Sequence, residues 1–269
     1  MSGGTDTLNW RVAGHSIRGA SHRRRKLPNQ DAIAWSLTAG SGVAVAVADG
    51  HGSSACMRSD AGAEIAVRSA VSILEEFHAR GDEDPAVLPA RLVSQWRAGV
   101  QAHLDAHPLG SLDPPAAWRA YGTTLLAALA TPEYLLYLQV GDGDILAVSD
   151  EGSVARLFAR DARLLGVETT SLCAPDAARE IRVRREPLNG SPPALLLLAT
   201  DGYANSFRAD AGFLRIGADI LDMIRRDGME HVEDNLDAWL NEASEMGSGD
   251  DITLALLSRT AREEAANAD

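Results

Sequence analysis

The sequence predicts an α+β fold in which two antiparallel β-sheets pack together and helices cover both outer faces. Three observations lead there. The segments run in the order strands, paired helices, many strands, paired helices and a final strand, which does not fit βαβ alternation. No internal repeat, linker or low-complexity stretch divides the 269 residues. The acidic residues with catalytic potential run from Asp31 to Asp250, so nearly the whole chain must fold together to assemble one site. One domain is therefore expected over residues 1–258, followed by a polar, frayed tail over 259–269.

Taken in order, short strands are expected at about 10–20, 31–37 and 42–49, the last reading VAVAVAD at its end. Between about 54 and 80, Ala66, Ala70, Ile73 and Phe77 recur at helical spacing, with Val67, Val71 and Leu74 beside them. A second helix is expected over about 86–106, separated from the first by the loop GDEDP and ended by HPLGSLDPP. Strands follow at about 122–131, 134–140, 144–150, 154–158, 179–186 and 194–200. After Asp201 the chain turns helical, with Val232, Leu236, Leu240 and Ala243 in one apolar stripe. GSGDD ends that helix before a last strand at about 252–258.

Composition excludes several classes. A formal charge of -13 argues against general nucleic-acid binding, which relies on clustered Lys and Arg. No apolar run approaches a membrane span, and MSGGTDTLNW lacks a basic segment followed by an apolar one, so a cytoplasmic location is expected. Cys56 and Cys173 are too few for a disulfide framework and lack metal-site spacing, so both read as structural thiols.

A carboxylate recurs where strands surface. Asp49 follows VAVAVA, Asp142 follows LYLQV, Asp201 follows the run ending LLLLAT, and Asp250 and Asp251 precede ITLALL. A lone Asp-Gly pair is an ordinary turn. Repeated at the ends of neighbouring strands, it gathers negative charge at one rim, where carboxylates raise one another's pKa unless a cation compensates them. Oxygen-only ligands favour Mg2+ or Mn2+ over zinc. The run Arg23, Arg24, Arg25, Lys26 interrupts the acidity just before PNQDA.

The elements SHRRRKLPNQDA, VAVADGHGS, YGTTLLAAL, VGDGDILAV, LLATDGY and SGDDITLAL, in this order, resemble the metal-dependent protein phosphatases of type 2C, in particular a bacterial branch. The resemblance implies an α-β-β-α sandwich with a two-metal centre at the sheet edge. It implies that Asp49 bridges two ions, that the Gly50 carbonyl binds one of them, and that Asp201 and Asp250 complete the other ion's protein shell. Asp31 matches an acidic residue that contacts metal-bound water, and Asp142 with Asp201 matches a third, weaker site. Asp251 is expected to give support from behind. Gln30 departs from the family's frequent Glu, and Lys26 stands where many relatives place a phosphate-gripping Arg. Lys26 is the first candidate for that grip by spacing and Arg25 the second; Arg24, Arg23 and His22 are further substitutes.

These expectations describe a Mn2+/Mg2+-dependent serine/threonine protein phosphatase with two ions and a third weaker site. Asp49 and Asp31 would serve the metal-activated water, and His51, with an ordinary pKa of about 6.5, would protonate the leaving group. Phosphorylated proteins are the expected partners, with a serine/threonine kinase acting on the same substrates. Two other readings are a phosphoprotein-binding module without activity and a phosphatase for small phosphate esters.

Overall fold

Alternation along one strand shows how the layers arise. In β3 (Gly42–Asp49), Val43, Val45 and Val47 point into the core between the sheets, while Ala44, Ala46 and Ala48 face the helical layer outside. Successive side chains of a strand point to opposite faces, so a strand buried on both sides reads as continuously apolar. Small alanines let the covering helix approach closely.

This computed structural model describes residues 9–38, 42–81, 83–110, 113–160, 169–188 and 191–260. One sheet holds, in spatial order, β1 (Asn9–Ile17), β10 (Ile252–Thr260), β9 (Leu195–Ala199), β6 (Asp144–Val148) and β7 (Val154–Arg156). The other holds β2 (Asp31–Thr38), β3, β4 (Leu125–Ala130), β5 (Tyr134–Val140) and β8 (Arg182–Pro187). Every pairing is antiparallel. Trp10, Leu126, Tyr137, Leu196, Leu198 and Leu257 join the three valines between the sheets.

Helices α2 (Ser59–Arg80) and α3 (Leu88–Ala106) cover the second sheet, and α7 (Asp210–Asp227) and α8 (Met229–Met246) cover the first. Val232, Leu236 and Leu240 form the buried face of α8. Trp96 lies fully buried and donates its Nε1–H to the Gly62 carbonyl at 3.0 Å, fixing α3 on α2. Truncating such a residue to Ala costs about 3–5 kcal/mol. The α+β sandwich is thus the expected one. Among the described residues, no helix is long and apolar enough to cross a membrane.

Several boundaries differ from expectation. The first strand ends at Ile17, and the basic run folds as a short helix, α1 (Ala20–Arg25). Its apolar face is too small for a periodic signal, since only Ala20 and His22 are buried. A helix α4 (Pro114–Ala120) stands where a loop was expected, because Pro114 and Pro115 occupy a first turn whose N–H groups have no intrahelical partner anyway. The Asp113 carboxylate caps it by accepting the Ala116 N–H at 2.9 Å. Two single turns, α5 (Ala177–Glu180) and α6 (Asp201–Ala204), precede β8 and follow β9. The long helix begins at Ser59, not near 54. Strand β10 runs to Thr260, two residues into the segment expected to be a tail, because Arg259 and Thr260 still pair with Trp10 and Asn9. The rest of that tail lies outside the described residues.

Candidate metal centre

The site forms where strands of both sheets end at the same rim. Asp31 opens β2, Asp49 closes β3 and the two are register partners. Asp142 sits in the turn between β5 and β6, Asp201 follows β9, and Asp250 and Asp251 immediately precede β10. Two clefts meet at Asp49 and Asp250, which line both. The larger, about 820 Å³, is also lined by His51, Asp142, Asp201, Thr124 and Asn205. The smaller, about 200 Å³, is lined by His22, Arg25, Gln30, Gly50 and Asp251.

Backbone bonds hold Asp49 in place. Its carbonyl accepts the Thr124 N–H at 2.8 Å and the Thr123 hydroxyl at 2.9 Å, while its own N–H donates to Thr124 Oγ1 at 3.1 Å. The next residue must be glycine: a Cβ on Gly50 would stand 2.6 Å from both the Gln30 and Ser59 carbonyl oxygens. Thr200 donates its hydroxyl to Asp31 Oδ2 at 2.8 Å, and Asn205 donates its amide to Asp201 Oδ2 at 3.0 Å. Sequence reasoning gave Thr123, Thr124, Thr200 and Asn205 no role. The available signals were their positions beside Asp49's partner strand and directly before, or four residues after, Asp201.

Asp251 is buried and faces away from the larger cleft. It accepts the Gly19 N–H on Oδ1 at 2.6 Å, and on Oδ2 the Gln30 N–H at 2.6 Å and His22 Nδ1 at 2.8 Å. It therefore anchors α1 and the start of β2. Asp144, two residues after Asp142, is also buried, and it pairs with Arg156 at 2.5 Å. Asp142 itself is exposed.

The basic run divides by geometry. Arg23 is engaged by Glu245 at 2.9 Å and by Asn241 at 2.7 Å, which ties α1 to α8. Lys26 ends α1 in the left-handed conformation, φ 59°, and its side chain is exposed. Arg25 lines the smaller cleft, and its side chain has no hydrogen-bond or ion-pair partner among the described residues.

Electrostatics at the rim are strongly unfavourable for protein alone. Burial first, then the neighbouring Asp31, Asp201 and Asp250 charges, push Asp49 well above the usual carboxylate range. Burial likewise raises Asp31 well above that range, with the Thr200 hydroxyl opposing and Asp251 reinforcing. Asp201 is raised too, chiefly by burial. Burial lowers the His51 imidazole, with Asp142 pulling weakly the other way.

Among the described residues, no three His, Cys, Asp or Glu side chains already close on one point as a metal cluster. The residues nevertheless suit hard divalent cations on two counts. Carboxylates gather there and raise one another's pKa, and the aspartates offer oxygen donors. A third feature fits a hydrated ion: Gln30 Oε1 is buried without a hydrogen-bond partner, while its Nε2 is spent on Ser59 Oγ at 2.6 Å.

Comparison with known proteins agrees with this architecture. Serine/threonine-protein phosphatase 3 of Escherichia coli (strain K12) is 31% identical over 146 residues, 52% of this chain and 53% of that protein. The chain thus matches about half the length of this curated relative. Among solved structures, the catalytic domain of the serine/threonine protein phosphatase PstP, in complex with two manganese ions, superposes with a TM-score of 0.59 at 21% identity, over 94% of this chain and 100% of that one. Serine/threonine phosphatase Stp1 from Staphylococcus aureus gives 0.62 at 14% identity, over 92% and 94% of the two chains. These structures share the fold. The family model described as protein phosphatase 2C matches residues 18–241, spanning the rim from α1 through Asp201 and most of the fold around it, and the chain belongs to that family.

Proposed function

We propose that this chain is a metal-dependent protein phosphatase that hydrolyses phosphoserine and phosphothreonine. One observation carries the reading. Aspartates from the ends of β3, β5 and β9 and from the start of β10 line one open cleft, and Arg25, whose guanidinium has no partner among the described residues, stands in the adjoining one.

Asp49, the Gly50 carbonyl, Asp201 and Asp250 would hold two Mn2+ or Mg2+ ions, and Asp142 with Asp201 a third, weaker one. Bound there, such ions lower the pKa of a water to give hydroxide near neutral pH and neutralise charge on the phosphoryl oxygens. Asp31, which accepts the Thr200 hydroxyl and is the register partner of Asp49, would accept hydrogen bonds from coordinated water. Arg25 binds the phosphoryl oxygens, where a planar fork offers paired donors that Lys26 lacks.

His51 supplies the leaving alkoxide with its proton. Its backbone N–H donates to the Gly122 carbonyl at 3.0 Å, and the residue lines the larger cleft with Asp49 and Asp142. Gly122 has no side chain because a Cβ would come within 2.8 Å of the His51 ring.

Phosphorylated proteins are the proposed substrates, and a kinase acting on the same proteins is the proposed counterpart, in the cytoplasm. The deciding experiment strips the protein of metal, adds back Mn2+, Mg2+ or nothing, and follows a phosphothreonine peptide beside small phosphate esters. Turnover of the peptide only with metal is expected. Metal-independent turnover rejects the mechanism, preference for small esters rejects the substrate class, and inactivity with every ion favours a module that only binds phosphoproteins.

A further inference from the structure

His22 is a buried imidazole that the mechanism above does not use. It sits on α1 and lines the smaller cleft with Gln30, Asp49, Gly50 and Asp250. Its proton can be placed from its neighbours. Asp251 is surrounded by donors, since both the Gly19 and Gln30 N–H groups are bonded to it at 2.6 Å. A carboxylate so placed is an acceptor, and His22 Nδ1, 2.8 Å away, is the third donor to it. In the tautomer that carries its proton on Nδ1, the other ring nitrogen, Nε2, is an acceptor. It is turned toward Asp250 and stands 3.8 Å from Oδ1, too far for a direct hydrogen bond.

In that tautomer two acceptors face each other, His22 Nε2 and Asp250 Oδ1, the latter also accepting the Asp251 N–H at 3.0 Å. Gln30 lines the same cleft, and its Oε1 is buried without a hydrogen-bond partner. Each is left over after its sister nitrogen has been committed, to Asp251 in one case and to Ser59 in the other. A water at an ordinary hydrogen-bond distance of about 2.8 Å can reach both nitrogen and oxygen across that gap. A cation's hydration shell presents only protons outward, which is what such a wall accepts.

We propose that His22 is a positioning residue for the metal centre: Asp251 fixes its tautomer, and its Nε2 accepts a hydrogen bond from the water shell of a divalent ion held by Asp250. The inference rests on the metal-site reading above and deepens it. Through this contact α1, which carries Arg25, is coupled to metal binding, so the phosphate grip and the ion are oriented by one side chain.

The test separates the two ring nitrogens. In His22→Asn the amide stands near the Nδ1 position and keeps a donor for Asp251, but nothing reaches the Nε2 position. In His22→Gln the amide reaches the Nε2 position and the donor to Asp251 is lost. Mn2+ affinity is measured by calorimetry on both variants and the wild type, and the melting temperature is measured without metal. Outer-shell partners of metal sites are worth about 10- to 100-fold in affinity. His22→Asn is expected to keep its melting temperature and weaken Mn2+ by about that factor. His22→Gln is expected to melt lower and recover part of the affinity. Wild-type affinity in His22→Asn overturns the proposal and leaves His22 a structural clamp. Should the Asn variant fail to fold, the Gln variant decides: retained Mn2+ binding supports the proposal and lost binding overturns it. If the wild type itself binds no Mn2+, the metal reading fails and this inference with it. Wild-type binding with an unaffected His22→Asn removes the inference alone.

Discussion

Asp31 and Asp49 face each other as register partners at the rim end of the β2–β3 ladder. Burial raises both carboxyl groups well above their usual range, and neighbouring negative charge adds to it, from Asp31 at Asp49 and from Asp251 at Asp31. A carboxyl raised in the native state holds a proton there that the unfolded chain has already released. Stability is therefore complete below the unfolded value, about 3.9, and is lost as pH rises through the native one. The metal-free protein should melt at progressively lower temperature as pH rises above the unfolded value of about 3.9, and saturating Mn2+ should flatten that slope. Asp49→Asn should flatten it without metal, while weakening the binding of at least two ions and largely abolishing turnover. An unchanged slope in the variant would contradict the assignment of the raised pKa to this pair.

The two aspartates of the GDGD turn should behave oppositely. Asp142 is exposed, so Asp142→Ala is expected to leave stability and the two tighter ions intact while slowing hydrolysis. Asp144 is buried against Arg156, which also reaches Asp210 at 2.8 Å, so Asp144→Ala removes the buried one of the two carboxylates on Arg156 and leaves the guanidinium to Asp210. Breaking such a pair costs about 3–5 kcal/mol, and the partial exposure of Arg156 places the expected loss at the low end. Chemical denaturation and calorimetric titration of the two variants check this; a stable Asp144→Ala would refute it.

Arg25 and Lys26 are adjacent yet should be unequal. The guanidinium lines the cleft, whereas the lysine terminates the helix outside it. Arg25→Ala is expected to raise KM for a phosphopeptide about ten- to hundredfold with a smaller change in kcat, matching a charge-assisted hydrogen bond of about 1.5–3 kcal/mol. Lys26→Ala should change KM by less than about twofold. Steady-state kinetics on the pair decide, and equal small effects would return the whole run to a solvated surface.

His51→Gln should slow phosphopeptide hydrolysis by about 10²- to 10⁴-fold and affect an aryl phosphate far less, because a phenolate leaves without needing the proton. Burial lowers the imidazole, so the protonated form required of an acid is lost as pH rises through a value below about 6.5. The peptide's kcat/KM profile should carry that falling limb in the wild type and lack it in the variant. Equal slowing of both substrates together with weakened Mn2+ binding would mean that His51 shapes the metal site instead.

The layering was legible because apolar alternation and Asp-Gly endings are local signals. VAVAVAD announces both a doubly buried strand and the carboxylate at its end. What decided among neighbouring residues was not local. Linear spacing favours Lys26 for the phosphate, yet α1 turns successive residues by about 100°, so Arg25 reaches the cleft and Lys26 does not. Nothing in GDGD says that its second aspartate is paired inside the protein, since Arg156 lies on the next strand and Asp210 on a helix 66 residues away. The clamp on Asp251 likewise joins residues more than two hundred positions apart, and no periodicity encodes it.

The antiparallel ladder joining β1 to β10 puts Asn9 opposite Thr260. Covalent order along the chain is therefore incidental to the site, and the exposed turn at Gly81, where even an added methyl would meet nothing, is a place where the chain can be cut. A cut there leaves Asp31 and Asp49 on one fragment and Asp142, Asp201 and Asp250 on the other, with β1 and β10 divided between them. The proposed two-ion centre, which needs Asp49 together with Asp201 and Asp250, is then shared between the fragments. Divalent metal would then act as an adhesive between two halves, and each half's affinity for the other would rise with metal concentration.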